Sequence, residues 1–234
     1  MSCYHITYKD GSKIMTAVNS RAEFEALRST SVQRALVKQA REGNTEAKRR
    51  LPQFNYSCMP NQDGTLKGAS TPSNTVGMDI DHLTPDELKA TLDVCLNTAE
   101  KLGILLVERS ARGEGLHVVF KRDPSKTQEE NLRAMSAQLC VPYDEGAKDI
   151  TRVFFATTEE PTELLYLNDE LFVNEAGKGV CVKRDQTDDS RSVSEKRDPS
   201  DQTKNDQVSG EHLAQMFLLP SFSTTSTKTF HTPT

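Results

Sequence analysis

Two stretches decide the fold: Asn74-Thr-Val-Gly-Met-Asp-Ile-Asp81 and Ile104-Leu-Leu-Val-Glu-Arg-Ser-Ala-Arg-Gly-Glu-Gly-Leu-His-Val-Val-Phe120. The first predicts a short apolar strand that carries two acids near its end. The second predicts a hairpin, two strands around a glycine-rich turn. Between them, Thr84-Pro-Asp-Glu87 has the N-cap, the N1 proline and the N3 glutamate of a helix start. Apolar residues then recur at helical spacing up to Gly103.

A second helix follows the hairpin and begins at Ser125 or Thr127. Short apolar runs at 141–144 and 152–156 predict further strands. The order over residues 75–156 is therefore β-α-β-β-α-β, which is the split βαβ or ferredoxin-like arrangement. We expect an α+β fold whose antiparallel sheet carries two helices on one face and leaves the second face open.

The flanking segments extend this core on both sides. Two strands joined by Asp10-Gly11, then helices as far as residue 50, predict an N-terminal α/β extension. An apolar patch in 157–175 closes the domain, which we place at 1–175. The polar, mixed-charge composition of 183–210 predicts a disordered linker, and 211–234 holds a short apolar segment and a Ser/Thr-rich tail.

Composition narrows the class of protein. The net charge of −5 does not suit a polycation that coats nucleic acid. The five cysteines stand singly, without the paired spacing of a zinc site, as is typical of a reducing compartment. No apolar run approaches the about 18 residues that span a bilayer. We therefore expect a cytoplasmic protein without a membrane partner.

Positive charge is concentrated between residues 28 and 50. This run indicates either a solvated helix face or a surface that meets phosphates, and the solvated face is the favoured interpretation. The basic residues are Arg28, Arg34, Lys38, Arg41, Lys48, Arg49 and Arg50.

Asp79 and Asp81 project from one side of their strand, because strand side chains alternate. Their Cα atoms should lie roughly 7 Å apart, so the two carboxylates repel unless a cation lies between them. Mg²⁺ or Mn²⁺ prefers such oxygen ligands. Asp144 would complete a metal triad, and Asp149 is the substitute, unless it merely caps the turn before Thr151.

The stretch from Ser110 to His117 predicts an anion site. Gly113 and Gly115 permit a turn whose N–H groups can face a phosphate. His117 lies opposite the apolar side of its strand and could donate to a phosphate or transfer a proton. Arg152 could pair with a phosphate.

Together these residues resemble the archaeo-eukaryotic primase (primase-polymerase) superfamily. Its three motifs correspond to Asp79-Ile-Asp81, Ser110 through His117, and Tyr143-Asp144. The closest similarity is to the VirE N-terminal branch of Bacteroidetes mobile elements. That branch also has a Lys-x-x-Leu-Pro motif, which is similar to Lys48-Arg-Arg-Leu51-Pro52. Arg112 departs from that branch, which has a small hydroxyl residue there. The resemblance covers about residues 1–172.

The resemblance implies an RNA-recognition-motif-like core and a DNA primase-like nucleotidyltransferase that serves a mobile element. It implies that Asp79, Asp81 and Asp144 bind Mg²⁺ or Mn²⁺ and act in catalysis with His117. The residues implied in nucleotide binding are Ser110, Arg112, Gly113, Gly115, His117 and Arg152. The expected partners are a single-stranded DNA template, nucleoside triphosphates and a helicase acting in trans.

Two alternatives remain. A catalytically inactive nucleic-acid-binding accessory protein could hold single strands on the open sheet face, although no aromatic stripe marks that face. A rolling-circle nuclease would need two histidines around one apolar residue, which His82 and His117 do not provide.

Overall fold

The computed structural model describes residues 2–172, and the predicted linker and tail at 183–234 lie outside these residues. The fold is α+β and contains two four-stranded antiparallel sheets. The strands are β1 (Tyr4–Lys9), β2 (Ser12–Ala17), β3 (Gln53–Asn55), β4 (Thr75–Ile80), β5 (Ile104–Arg109), β6 (Leu116–Lys121), β7 (Phe154–Phe155) and β8 (Leu164–Leu167). The helices are α1 (Arg21–Ala26), α2 (Ser31–Arg41), α3 (Thr45–Arg49), α4 (Pro85–Leu102) and α5 (Gln128–Leu139).

Local signals place the helix ends of the core. Thr84 and Thr127 each begin a helix with a capping box, α4 and α5 respectively. Gly103 ends α4 in the left-handed conformation, with φ of 65°. In the N-terminal extension, Asp10 and Gly11 form the predicted turn between β1 and β2, both with positive φ. These features confirm the local predictions.

The second sheet has the strand order β4-β6-β5-β8. Its first three strands follow the order that a split βαβ unit requires, with β6 between β4 and β5. Helices α4 and α5 cover one face and bury Val76, Met78, Leu132 and Met135 among others. This packing fixes the outward direction of the alternate residues, and Asp79 is among them.

The predicted sixth element of the core is wrong in two respects. Residues 141–144 form no strand, and only one backbone hydrogen bond, from Asp144 N to Asp79 O at 2.8 Å, joins them to β4. The strand predicted at 152–156 shortens to β7 and pairs with β3 in the other sheet, whose order is β2-β1-β3-β7. The edge position beside β5 is taken by β8. Strand pairing over such sequence separations is decided by packing, which local patterns do not encode.

The second face of the core is covered, contrary to expectation. The first sheet packs against it and shares an apolar cluster with it that includes Phe54, Leu106, Val119 and Phe154. Gly77 on β4 makes this approach possible, because a Cβ at that position would lie 2.6 Å from the Phe154 ring. The surface on which an accessory protein would hold single strands is therefore inside the domain.

The arginines of α2 contact acids of the 159–163 segment. Arg34 pairs with Glu159 at 2.7 Å and Glu160 at 2.9 Å, and Arg41 pairs with Glu163 at 2.6 Å. These carboxylates neutralise Arg34 and Arg41, two of the seven basic residues, which supports the solvated-face interpretation for those two. Arg28, from the same run, is instead fully buried. In the described part of the chain, none of the helices has both the length and the apolar character that crossing a bilayer requires.

Candidate metal centre

Three carboxylates converge at the end of β4. Asp79 is on the strand, Asp81 lies just beyond its end, and Asp144 is the N-cap of the 3₁₀ turn Glu145–Lys148. One oxygen from each residue lies within 4.8 Å of the others. The hydrogen bond from Asp144 N to the Asp79 carbonyl brings the third acid to the other two. The predicted triad is therefore assembled from two separate segments of the chain.

Asp149, the predicted substitute, is not part of this cluster. It is exposed, and its Oδ1 accepts hydrogen bonds from the backbone N and the hydroxyl of Thr151, both at 2.8 Å. This is an Asx-type turn cap, the alternative that the sequence left open.

Arg152 contacts the acids directly. One of its terminal nitrogens donates to Asp79 Oδ2 at 2.6 Å and to Asp144 Oδ2 at 2.7 Å. A Cβ at position 146 would lie 2.1 Å from the other terminal nitrogen, so Gly146 leaves the room that the guanidinium needs. The cation predicted to meet phosphate is thus held between two carboxylates.

His117 is buried, although the sheet face on which it lies was expected to be open. Its Nδ1 lies 3.0 Å from Glu108 Oε1, and its Nε2 lies 3.7 Å from Asp79 Oδ1. The ring of Phe154 packs edge-on against it, with the centroids 5.2 Å apart. The imidazole faces two carboxylates because Asp79 on β4 and Glu108 on β5 are the direct cross-strand neighbours of His117.

Glu108 and Arg28 form a fully buried ion pair behind His117 that the sequence analysis missed. The Arg28 guanidinium also donates to the carbonyl of Thr157 at 3.2 Å and lies over the ring of Phe24. A glutamate at the end of an apolar strand was the available signal, because a buried charge needs a partner. The charges then alternate in space along Arg28, Glu108, His117, Asp79, Arg152 and Asp144.

Burial and charge shift the pKa values along this series. Burial opposes the charge on Glu108, but Arg28 and His117 outweigh it and lower the pKa of that carboxyl. Burial likewise opposes protonation of His117, yet Glu108, Asp79 and Asp81 raise its pKa. The pKa of Asp81 is raised, first by loss of water around the carboxylate and then by the like charge of Asp79.

The glycine-rich turn packs against the end of β4 beside Asp81, and two of its amides have partners within the hairpin. The N–H of Gly113 donates to Ser110 O, and the N–H of Ser110 donates to Gly115 O. Gly115 is buried beside the end of β4, while Arg112 is exposed at the turn. Hairpin bonds therefore use the N–H groups of Ser110 and Gly113. The phosphate contacts expected from Ser110, Arg112, Gly113 and Gly115 stay a prediction. The turn also packs, through Gly115, against the backbone of Ile80 and Asp81.

Gly115→Ala should destabilise the protein by about 3 kcal/mol, the upper range for overpacking. The added Cβ would lie 2.1 Å from the backbone oxygen of Ile80, and backbone yields less easily than a side chain. Urea unfolding measures the change. Gly11→Ala is the control: Gly11 has a positive φ, unlike Gly115, but a Cβ there meets nothing within 4 Å, so the variant should lose only about 1 kcal/mol to backbone strain. Equal losses in the two variants would contradict the packing role of Gly115.

The chemistry of the cluster suits a divalent metal ion. All three groups are carboxylates, the ligand type that Mg²⁺ and Mn²⁺ prefer. Asp79 Oδ1 is buried and accepts no hydrogen bond within the described residues. An anionic oxygen without a donor is costly unless a cation compensates it. The positive charge of Lys48 is close enough to act on Asp81, where it offsets part of the increase in pKa.

Comparison with known proteins gives this chain no relatives: no family model matches it, and neither a curated protein nor a solved structure matches it.

Proposed function

We propose that this protein is a DNA primase-like nucleotidyltransferase that uses Mg²⁺ or Mn²⁺ to add nucleotides to a 3′-hydroxyl on a DNA template. The observation that carries the proposal is the convergence of three carboxylates from two separate segments of the chain, with one oxygen of each within 4.8 Å of the others. The buried Oδ1 of Asp79, which accepts no hydrogen bond within the described residues, supports a cation at this point. Service to a mobile element and a helicase acting in trans belong to the same proposal, on the strength of the resemblance alone.

The fold proposed for residues 75–156 is an RNA-recognition-motif-like primase core. The strand order β4-β6-β5 and the two helices on one face support it. The departure of β7 to the first sheet and the strand β8 beside β5 distinguish this chain from the simple ferredoxin-like pattern.

In this proposal Asp79, Asp81 and Asp144 would hold the metal, which supplies Lewis-acid stabilisation of the reacting phosphate. The oxygen of the 3′-hydroxyl bonds to the α-phosphorus, the bond from that phosphorus to the β-phosphate oxygen breaks, and pyrophosphate leaves with the electron pair. The hydroxyl proton passes to solvent. His117 keeps the buried side of Asp79 in place, since Glu108 fixes its ring. Arg152 and Lys48 provide positive charge for the triphosphate.

Asp144→Asn should reduce nucleotide incorporation about 100-fold or more, because losing one charged ligand costs about 3 kcal/mol of stabilisation. Primer synthesis and primer extension on single-stranded DNA, with labelled NTP or dNTP, measure the loss. Asp149→Asn is the matched control, an exposed acid five positions away, and should stay within about twofold of the unmodified protein.

Metal binding is a second test of the proposal, and it can be measured without catalytic turnover. Titration with Mn²⁺, followed by its electron paramagnetic resonance signal, should show a bound ion for the unmodified protein and for Asp149→Asn. Asp144→Asn should bind at least about tenfold more weakly. Incorporation without metal, or equal behaviour of the two variants in both assays, would remove the proposed function.

A further inference from the structure

A groove lies directly beside the acid cluster, and the proposed function assigns no ligand to it. Its volume is about 790 Å³, within the range of small-molecule sites. One wall is the first half of α4, with Ala90, Thr91 and Val94, and the other is the chain from Leu139 to Asp144. Asp81 and Asp144 line it as well, so the groove opens directly onto two of the three acids.

The charges in this groove restrict what it can hold. Its ionisable lining consists of three carboxylates, from Asp81, Glu87 and Asp144, together with His82, the thiol of Cys140 and the phenol of Tyr143. Within residues 2–172 no lysine or arginine lines it. A phosphate placed among these carboxylates would be repelled. The cations near the cluster, Arg152 and Lys48, are not among the lining residues. The part of a ligand inside the groove must therefore carry no negative charge.

The walls match a base and a sugar. Val94, Leu139 and Val141 provide apolar surface, and the half-buried ring of Tyr143 provides a face on which a base can stack. At the acidic end, the carboxylates of Asp81 and Asp144 can accept hydrogen bonds from a hydroxyl. An uncharged aromatic group with a hydroxyl a few ångströms away has the chemistry of a nucleoside.

We propose that the groove binds the 3′-terminal nucleoside of the acceptor strand, with its base against Tyr143 and its 3′-hydroxyl toward Asp81 and Asp144. This inference rests on the proposed nucleotidyl transfer. The attacking and leaving oxygens lie in line on opposite sides of the phosphorus, so acceptor and triphosphate approach from different directions. The triphosphate belongs with Arg152 and Lys48, which leaves the cation-free groove to the acceptor.

Ala90→Phe tests the assignment, because it adds a ring to an exposed position on the groove wall. It should raise the KM for primer–template about tenfold, the scale of losing one well-filled contact, and leave the KM for the nucleotide unchanged. Asn97→Phe is the control, exposed on the same helix face two turns farther on and outside the groove, and should change neither constant. A rise confined to the nucleotide KM, or no rise at all, would overturn the proposal.

A binding measurement separates this proposal from the proposed function. A primer–template with 2-aminopurine at its 3′ terminus should change fluorescence when the unmodified protein or Asn97→Phe binds it, and not with Ala90→Phe, whether or not nucleotides are incorporated. If incorporation is absent but this pattern holds, the groove assignment stands and the catalytic proposal fails. If the duplex binds without a fluorescence change at the 3′ terminus, the groove assignment fails whatever the activity.

Discussion

Arg28→Leu is expected to lower the free energy of unfolding by about 3–5 kcal/mol. The variant leaves Glu108 charged and fully buried, with His117 as its remaining ionic partner. It also removes the donor to the Thr157 carbonyl. Urea unfolding followed by circular dichroism measures the loss.

Two further variants separate the cost of leaving the Glu108 charge uncompensated from the cost of losing an arginine side chain. Arg28→Met combined with Glu108→Gln removes both charges and keeps an acceptor for His117, so it should be more stable than Arg28→Leu by about 2 kcal/mol. Arg34→Leu removes an exposed arginine with two ion pairs and should cost no more than about 1 kcal/mol. A cost below about 1 kcal/mol for Arg28→Leu would mean that the buried pair does not hold the core together.

Asp79→Asn is expected to reduce nucleotide incorporation at least about 1,000-fold, or about 4 kcal/mol. The substitution keeps the shape of the side chain but removes the charge at the centre of the site. Asp79 is the residue that Arg152 and His117 both face, and its Oδ1 is the buried oxygen without a hydrogen bond. Extension of a labelled primer at saturating nucleotide and metal measures the effect.

The control for this variant is Asp86→Asn, which alters an exposed acid in the first turn of α4. It should retain incorporation within about twofold, because surface substitutions away from a site have small effects. Circular dichroism should show that both variants are folded. If folded Asp79→Asn retains more than about a tenth of the activity, then Asp79 is not a metal ligand in the reaction.

The sequence predicts those parts of the fold that local chemistry decides. The capping boxes at Thr84 and Thr127 and the left-handed Gly103 act within a few residues, and each lies where it was expected. The partner of Phe154 could not be found in this way. It pairs with Phe54, a hundred positions earlier, and its ring rests on Gly77. The apolar dipeptide Phe154–Phe155 does not by its own sequence specify which strand it pairs with.

The same distinction applies to the site. Alternation along β4 was enough to predict that Asp79 and Asp81 act together. Asp144 and Asp149 both precede short turns, so the sequence alone does not show which of them joins the cluster. The hydrogen bond from Asp144 N to the Asp79 carbonyl, which forms only in the folded chain, makes that choice. Glu108 was missed because a charge at a strand end usually faces solvent. The first sheet, built mainly from N-terminal residues, is what encloses it.

The path of the chain after α5 limits how this protein can be divided. The segment from 140 to 153 runs from α5, which packs on the second sheet, to β7 of the first sheet, and it includes Asp144 and Arg152. A fragment starting at residue 75 would contain every member of the acid cluster. It would nevertheless lack Arg28 and β3, so Glu108 would lose its counter-charge and β7 its neighbour. The smallest independently folding piece therefore extends well upstream of the acids, and transplanting residues 75–156 alone should not transfer the site.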